Sequence, residues 1–299
     1  MIETNSVKSI VHLTIGQRLS AYMELMKFRL SFLVAFSSGF GYVLGHRGAI
    51  DWLTMAALSF GGFLVSGASI TLNQIAEKEY DKLMKRTQNR PLPTGRMMVR
   101  EAYGFAFVVG AIGLLLLAYT TNLLTVGLSI ISIILYSFVY TPLKRVGPIA
   151  VFVGAIPGAL PPLIGWVAAT GNISVEAMII FGIQFIWQFP HFWAIAWVAD
   201  EDYKKAGFKL LPFAGEKDLR TAINIMIYTL FLLPLGLLPA YVGITGINSA
   251  FVVTVCGVLF LSQTFSLMKD YSRKSALKIM FGSFIYLPVV QISYLLDKL

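Results

Sequence analysis

Polar and apolar positions follow one another in long blocks along this chain. Nine apolar segments stand out, at roughly 29–45, 53–76, 101–119, 122–140, 147–169, 176–199, 221–242, 248–268 and 276–296. Each is close to the length an α-helix needs to cross a hydrocarbon core, and none shows the period-two alternation of a barrel strand. The pattern predicts an all-α, polytopic membrane helical bundle with about nine transmembrane helices. The connections then sort by charge. The N-terminus, the loops around 77–100, 141–146, 200–220 and 269–275, and the helix ends beside them hold 22 of the 24 Lys and Arg; Arg47 and Lys298 lie on the other side. By the positive-inside rule the N-terminus is cytoplasmic and the C-terminus outside, which an odd span count requires.

Residues 1–28 read as a cytoplasmic N-terminal segment and 29–299 as one transmembrane domain. Within the segment, Ile10 to Leu25 mixes apolar and polar residues at near-helical spacing, and Lys27 and Arg29 sit at the membrane edge, which suggests an interfacial helix. No short apolar core precedes a small-residue cleavage site, so the first span is expected to serve as the insertion signal. Composition turns the helical prediction into a membrane one: 57% of residues are hydrophobic and 13% charged, with a mean hydropathy of +0.73. The net charge of +9 does not indicate nucleic acid, because the basic residues fall between spans and form no patch interleaved with aromatics. Cys256, the single cysteine, excludes an internal disulfide. Pro148, Pro157, Pro161 and Pro162 fall among glycines in the fifth segment; kinks there would widen an internal cavity, but Gly and Pro are ordinary in membrane helices and the pattern fits that reading better.

Candidate chemistry concentrates where the second apolar segment becomes charged, in Leu72 to Arg96, LNQIAEKEYDKLMKRTQNRPLPTGR. Asn73, Glu77 and Asp81 are four apart and drift slowly around one helix face, so an amide and two carboxylates converge. Arg86 and Arg90 repeat the step, and Pro91-Leu-Pro-Thr-Gly95 is expected to stop the helix in a rigid turn. Hard oxygen ligands followed by guanidinium forks suit a magnesium-bound polyphosphate. A solvated loop with helical ion pairs, such as Glu77 with Lys82, would also account for a charged run. Against it stands Asn73, whose amide lies inside the apolar segment, where an unpaired polar group is costly.

The sixth segment runs into a second acidic cluster. Asp200 and Asp202 are two apart and serve one ligand only if the helix ends there, with Gly207 as a stop. Lys204, Lys205 and Lys209 follow and suit phosphate, although Asp200 and Lys204 are also spaced to pair with each other. His191, about two and a half turns before Asp200, is an intramembrane histidine and requires either a packed hydrogen-bond partner or a polar or metal-containing substrate. Trp187 and Trp193 suit an apolar lining, and Trp197 an interfacial belt.

The spacing Asn-x3-acid-x3-Asp-x4-Arg-x3-Arg-Pro-Leu-Pro-x-Gly-Arg after the second span resembles the UbiA-type intramembrane prenyltransferase superfamily. Met84 to Arg96, His191-Phe192-Trp193, Asp202-Tyr203, Ala206-Gly207 and Leu211-Pro212 are similar to its haem-prenylating branch. Glu77 stands where that branch more often has Asp. The resemblance implies transfer of a farnesyl group from farnesyl diphosphate to a vinyl group of haem B, giving haem O, in a bacterial cytoplasmic (inner) membrane with a haem A synthase downstream. It further implies Mg2+ held by Asn73, Glu77, Asp81, Asp200 and Asp202, diphosphate held by Arg86, Arg90 and Lys205, and catalytic roles for Asn73, Asp81, Asp202 and His191. Another aromatic acceptor, such as a quinone precursor, would use the same diphosphate machinery. A transporter of an anionic amphiphile would share the broken helices and intramembrane polar groups.

Overall fold

The computed structural model describes residues 14–213 and 215–299; His12 and the other first residues of the N-terminal segment lie outside the described residues. Among the described residues nine helices are long and apolar enough to span a bilayer. They are α2 (Phe28–Gly45), α3 (Trp52–Asp81), α4 (Val99–Thr120), the run α5 (Leu123–Ile134), a π-helical turn (Leu135–Tyr140) and α6 (Thr141–Leu143), then α7 (Ile149–Thr170), α8 (Val175–Val198), α10 (Leu219–Tyr241), α11 (Ile247–Asp270) and α12 (Arg273–Leu296). The chain is an integral, multi-pass membrane protein. Side-chain oxygens of Asp51, Asn122, Ser174, Asp218 and Ser272 accept from the first free N–H groups and start five of the spans.

At the centre lies α7, whose glycines let it pack closely against α2, the ordinary use of small residues in a membrane helix. A Cβ at Gly165 would overlap the Ser38 carbonyl, and one at Gly41 the Pro162 carbonyl, so only glycine lets α2 and α7 approach so closely. Despite its prolines α7 runs unbroken from Ile149 to Thr170. Trp197 also departs from expectation. It is 0% exposed and sits in the core with Trp187 and Trp193, so it cannot belong to an interfacial belt.

The ends of the bundle differ in chemistry. At one, the Lys298 ammonium donates to the carbonyls of Val43 and His46. At the other, the basic connections fold onto one another: Lys209 N donates to Lys144 O at 3.1 Å, and Arg96 grips Glu24 at 2.7 Å. The short helix α1 (Ile15–Met26) packs here, burying Ala21 and Leu25 with Ile75, Leu92, Met97 and Ala102. Thr14 and Gln17 form a capping box that starts it. Ile15, Leu19 and Met23 make an exposed apolar row on α1, suited to a bilayer surface.

Candidate active site

On α3, Asn73, Glu77 and Asp81 are 1%, 5% and 0% exposed. Neither carboxylate is left as a bare buried charge. Arg90 Nη1 reaches Asp81 Oδ2 at 2.8 Å, and Lys144 Nζ lies 2.8 Å from Glu77 Oε1. That second contact is an ion pair set off the direction of a good hydrogen bond, so Glu77 Oε1 keeps its acceptor capacity. Asp81 Oδ1 is buried without a partner. Asn73 Nδ2 donates to Thr141 Oγ1 at 2.8 Å, a contact that does not use the amide oxygen. The surface pair expected between Glu77 and Lys82 is absent from the described contacts; Lys82 instead holds Glu79 at 2.5 Å. An i,i+5 step points Lys82 away from a face that Glu77 turns inward.

The helix also ends earlier than its spacing suggested. α3 stops at Asp81, so Arg86 and Arg90 are not two further steps along it. Thr87 Oγ1 caps the Asp81 carbonyl at 2.9 Å, and the turns beyond fold Arg90 back onto the Asp81 carboxylate. Buried Met84, Leu92 and Met97 fix those turns from below, and Gly95 takes a φ of 74° that other residues resist. From the opposite side, the π-helical turn before α6 re-aims Tyr140, Thr141 and Lys144 toward α3. The Lys144 ammonium lies 4.6 Å from the Tyr140 ring centroid. Burial alone would pull the Lys144 ammonium down, but the Glu77 carboxylate outweighs it and holds it above the usual lysine range.

The second acidic cluster reaches the first. Ala199 breaks α8, and the six-residue α9 (Asp200–Lys205) turns off it, ended by Gly207 at φ 70°. Asp202 Oδ2 accepts from the Arg86 backbone N–H at 3.2 Å, and the Arg86 guanidinium lies 3.4 Å from the Tyr203 hydroxyl. Burial opposes the charge on Asp202, but the amides of Arg86 and Lys85 and the Lys205 ammonium win and hold it below the usual carboxylate range. Lys205 stands 3.7 Å from Asp202. Asp200 is not brought to the α3 row. It pairs with Lys204 at 3.2 Å and Lys217 at 3.3 Å. Among the described residues no three Asp, Glu, His or Cys side chains are gathered tightly enough to hold one metal ion as they stand.

Two cations near this site carry no signal in the sequence. Lys144 lies in a basic loop, and no spacing along the chain relates it to Glu77. Lys27, read as a membrane-edge residue, is the left-handed hinge between α1 and α2. Burial, then repulsion from Arg90, Lys144 and Arg86 against attraction from Glu77, lowers its ammonium to about 7. A cleft of about 200 Å³, lined by Glu77, Tyr80, Thr141 and Arg145, opens beside the row. His191 lies further into the bundle, with Nδ1 2.9 Å from Ser283 Oγ.

The model of the UbiA prenyltransferase family matches residues 33–287. The chain belongs to that family. It is 53% identical over 284 residues to the protoheme IX farnesyltransferase of Cytophaga hutchinsonii, covering 95% of this chain and 99% of that one. It is 45% identical over 293 residues to the protoheme IX farnesyltransferase of Christiangramia forsetii, covering 96% of each. Solved structures agree in fold. A digeranylgeranylglyceryl phosphate synthase superposes with a TM-score of 0.77 at 21% identity, over 94% of this chain and 98% of that one. A UbiA homolog from Archaeoglobus fulgidus, solved with GPP and Mg2+ bound, does so with a TM-score of 0.62 at 18% identity, over 92% and 99%.

Proposed function

We propose that this prenyltransferase moves a farnesyl group from farnesyl diphosphate to a vinyl group of haem B, releasing diphosphate and giving haem O. The observation that carries the acceptor is the 53% identity, across 99% of its length, to a protein named protoheme IX farnesyltransferase. The donor half rests on the site itself, where buried carboxylates and basic side chains from α3, its following turns, α6 and α9 share one end of the bundle.

The residues fit a divalent ion of the magnesium kind. The donors are hard oxygens, and Asp81 Oδ1 is a buried oxygen with no partner. Asn73, Glu77, Asp81 and Asp202 would hold it; Asp200, tied to Lys204 and Lys217, falls outside the set. When bound, the ion supplies positive charge to the departing diphosphate. Arg90 and Lys144, now paired with the carboxylates, would swing to diphosphate oxygens as the carboxylates take the metal, with Arg86 and Lys205 beside them. The C1–O bond of the donor breaks and its electron pair leaves with diphosphate. The vinyl π pair attacks C1 and forms the new C–C bond. Water then adds to the cation left on the inner vinyl carbon and loses a proton, which yields the hydroxyl. His191 contacts the acceptor, and the rings of Tyr140, Phe192 and Trp187 form its apolar surroundings.

The basic end would face the cytoplasm and the C-terminus the outside of a bacterial inner membrane, with residues 29–299 as the catalytic domain and haem O passing to a haem A synthase. Purified protein in liposomes, given farnesyl diphosphate, Mg2+ and either haem B or hydroxybenzoate, tests the proposal by mass spectrometry. Haem O from the first mixture alone is expected; a prenylated benzoate without haem O would overturn the choice of acceptor, and transport of the donor without release of diphosphate would favour a transporter.

A further inference from the structure

The hydrogen-bond network around His191 fixes its tautomer. Ser283 Oγ lies 2.6 Å from the backbone carbonyl of Met280. A carbonyl has no proton to give, so the hydroxyl donates there and spends its single proton. Toward His191 Nδ1, at 2.9 Å, Ser283 has only lone pairs left. The ring proton therefore sits on Nδ1, and Nε2 carries the free lone pair. Among the described residues Nε2 has no hydrogen-bond partner.

The same serine locks the ring in place. Its carbonyl accepts from Trp187 Nε1 at 3.1 Å, and the Trp187 ring stacks on His191 with centroids 4.5 Å apart and 20° between planes. Phe284 and Phe192 close the sides at 5.1 and 5.6 Å. The histidine is nevertheless only half-buried, and Phe284 beside it is 43% exposed. An imidazole with Nδ1–H held by an acceptor and Nε2 bare is the form that binds metals. A free metal ion needs several protein ligands, and among the described residues none gather here. A porphyrin iron brings four nitrogens of its own and needs one donor from the protein. Flat aromatic walls suit such a macrocycle.

Resting on haem B as the acceptor, we infer that His191 Nε2 ligates the iron of the porphyrin substrate and that Ser283 is the positioning residue that keeps this nitrogen available. Ring contacts connect the two ends of the reaction. Phe192 touches His191 on one side and Tyr140 at 6.2 Å on the other, and Tyr140 lies under Lys144, the partner of Glu77. His191 is thus linked through two aromatic rings to the end of the bundle that holds the α3 carboxylates.

Resonance Raman spectra of the ferrous haem B complex of purified protein provide the test. Wild type shows an iron–histidine stretching band. His191→Gly loses it, and added imidazole restores it. Ser283→Ala weakens haem binding by about 10- to 100-fold, as lost support of a metal-bound histidine does, whereas Ser283→Thr retains it. Metal-free protoporphyrin IX binds wild type and His191→Gly equally, which also shows that the variant is folded. A band that survives in His191→Gly, or haem bound to wild type without one, would overturn this ligation and leave the acceptor reading standing. Wild type that binds no haem at all would overturn both.

Discussion

The two acidic clusters at the basic end are built in opposite ways. On α3 the carboxylates are buried and their cations come from distant segments, Arg90 from beyond a folded turn and Lys144 from the end of α6. On α9 the lysine partners are mostly neighbours on the same short helix, Lys204 four residues from Asp200 and Lys205 three from Asp202, with half-exposed or exposed ammonium groups. Pairs of the second kind form whenever spacing permits and stabilise by a few tenths of a kcal/mol. Pairs of the first kind need a fold to assemble them and cost several kcal/mol when one partner is removed. What recruits α9 to the site is the Arg86 backbone N–H on Asp202, a contact between the two clusters.

This contrast ranks the expected effects. Asp81→Asn should lower turnover by about 10²- to 10³-fold, the scale of losing a preorganised electrostatic contact, while melting in detergent shows a folded protein; wild-type rates would end the role of the α3 row. Lys144→Met should destabilise by about 3 kcal/mol by stranding the Glu77 carboxylate, and a double variant with Glu77→Gln should recover stability without activity. If Lys144→Met melts as wild type does, the pair is no more than a surface contact.

Lys27 adds a pH dependence to the same cation set. Its folded-state value of about 7 lies below that of an unfolded lysine, so the unfolded chain binds more protons and stability rises with pH from about 7 toward the ordinary lysine range. A diphosphate would reverse the repulsion and draw a proton back. Calorimetry at about pH 8 in buffers of different ionisation heat should show proton uptake on binding a diphosphate in wild type and none in Lys27→Met. Equal uptake in both would place the titration elsewhere. At the small end, Lys204→Ala should change stability by less than about 0.5 kcal/mol, since it removes only an exposed helical pair; a larger loss by denaturant titration would make α9 as constructed as α3.

The spans were legible because each is an apolar block of membrane length, and the observed ends fall within a few residues of those expected, as for Phe28–Gly45 and Ile247–Asp270. Asn73, Glu77 and Asp81 were legible because helical spacing alone puts them on one face. The end of α3 was not, since the turn that replaces the helix depends on Thr87 capping Asp81 and on buried Met84 and Leu92. Lys144 and Ser283 stayed hidden because each acts through a contact between segments far apart on the chain, and Lys27 because the charges around it come from such segments, which no local period encodes. Trp197 was misplaced because its sequence position at a span end says nothing of which neighbours cover it.

The buried α3 carboxylates are expected to exchange their resident cations for a divalent ion when a diphosphate arrives. Electron paramagnetic resonance of Mn2+ added to the purified protein, with and without an unreactive thio-analogue of farnesyl diphosphate, tests it directly. Mn2+ should bind weakly alone and tightly with the analogue, and Asp81→Asn should lose the tight phase. Tight binding that ignores the analogue, or that Asp81→Asn retains, would contradict it.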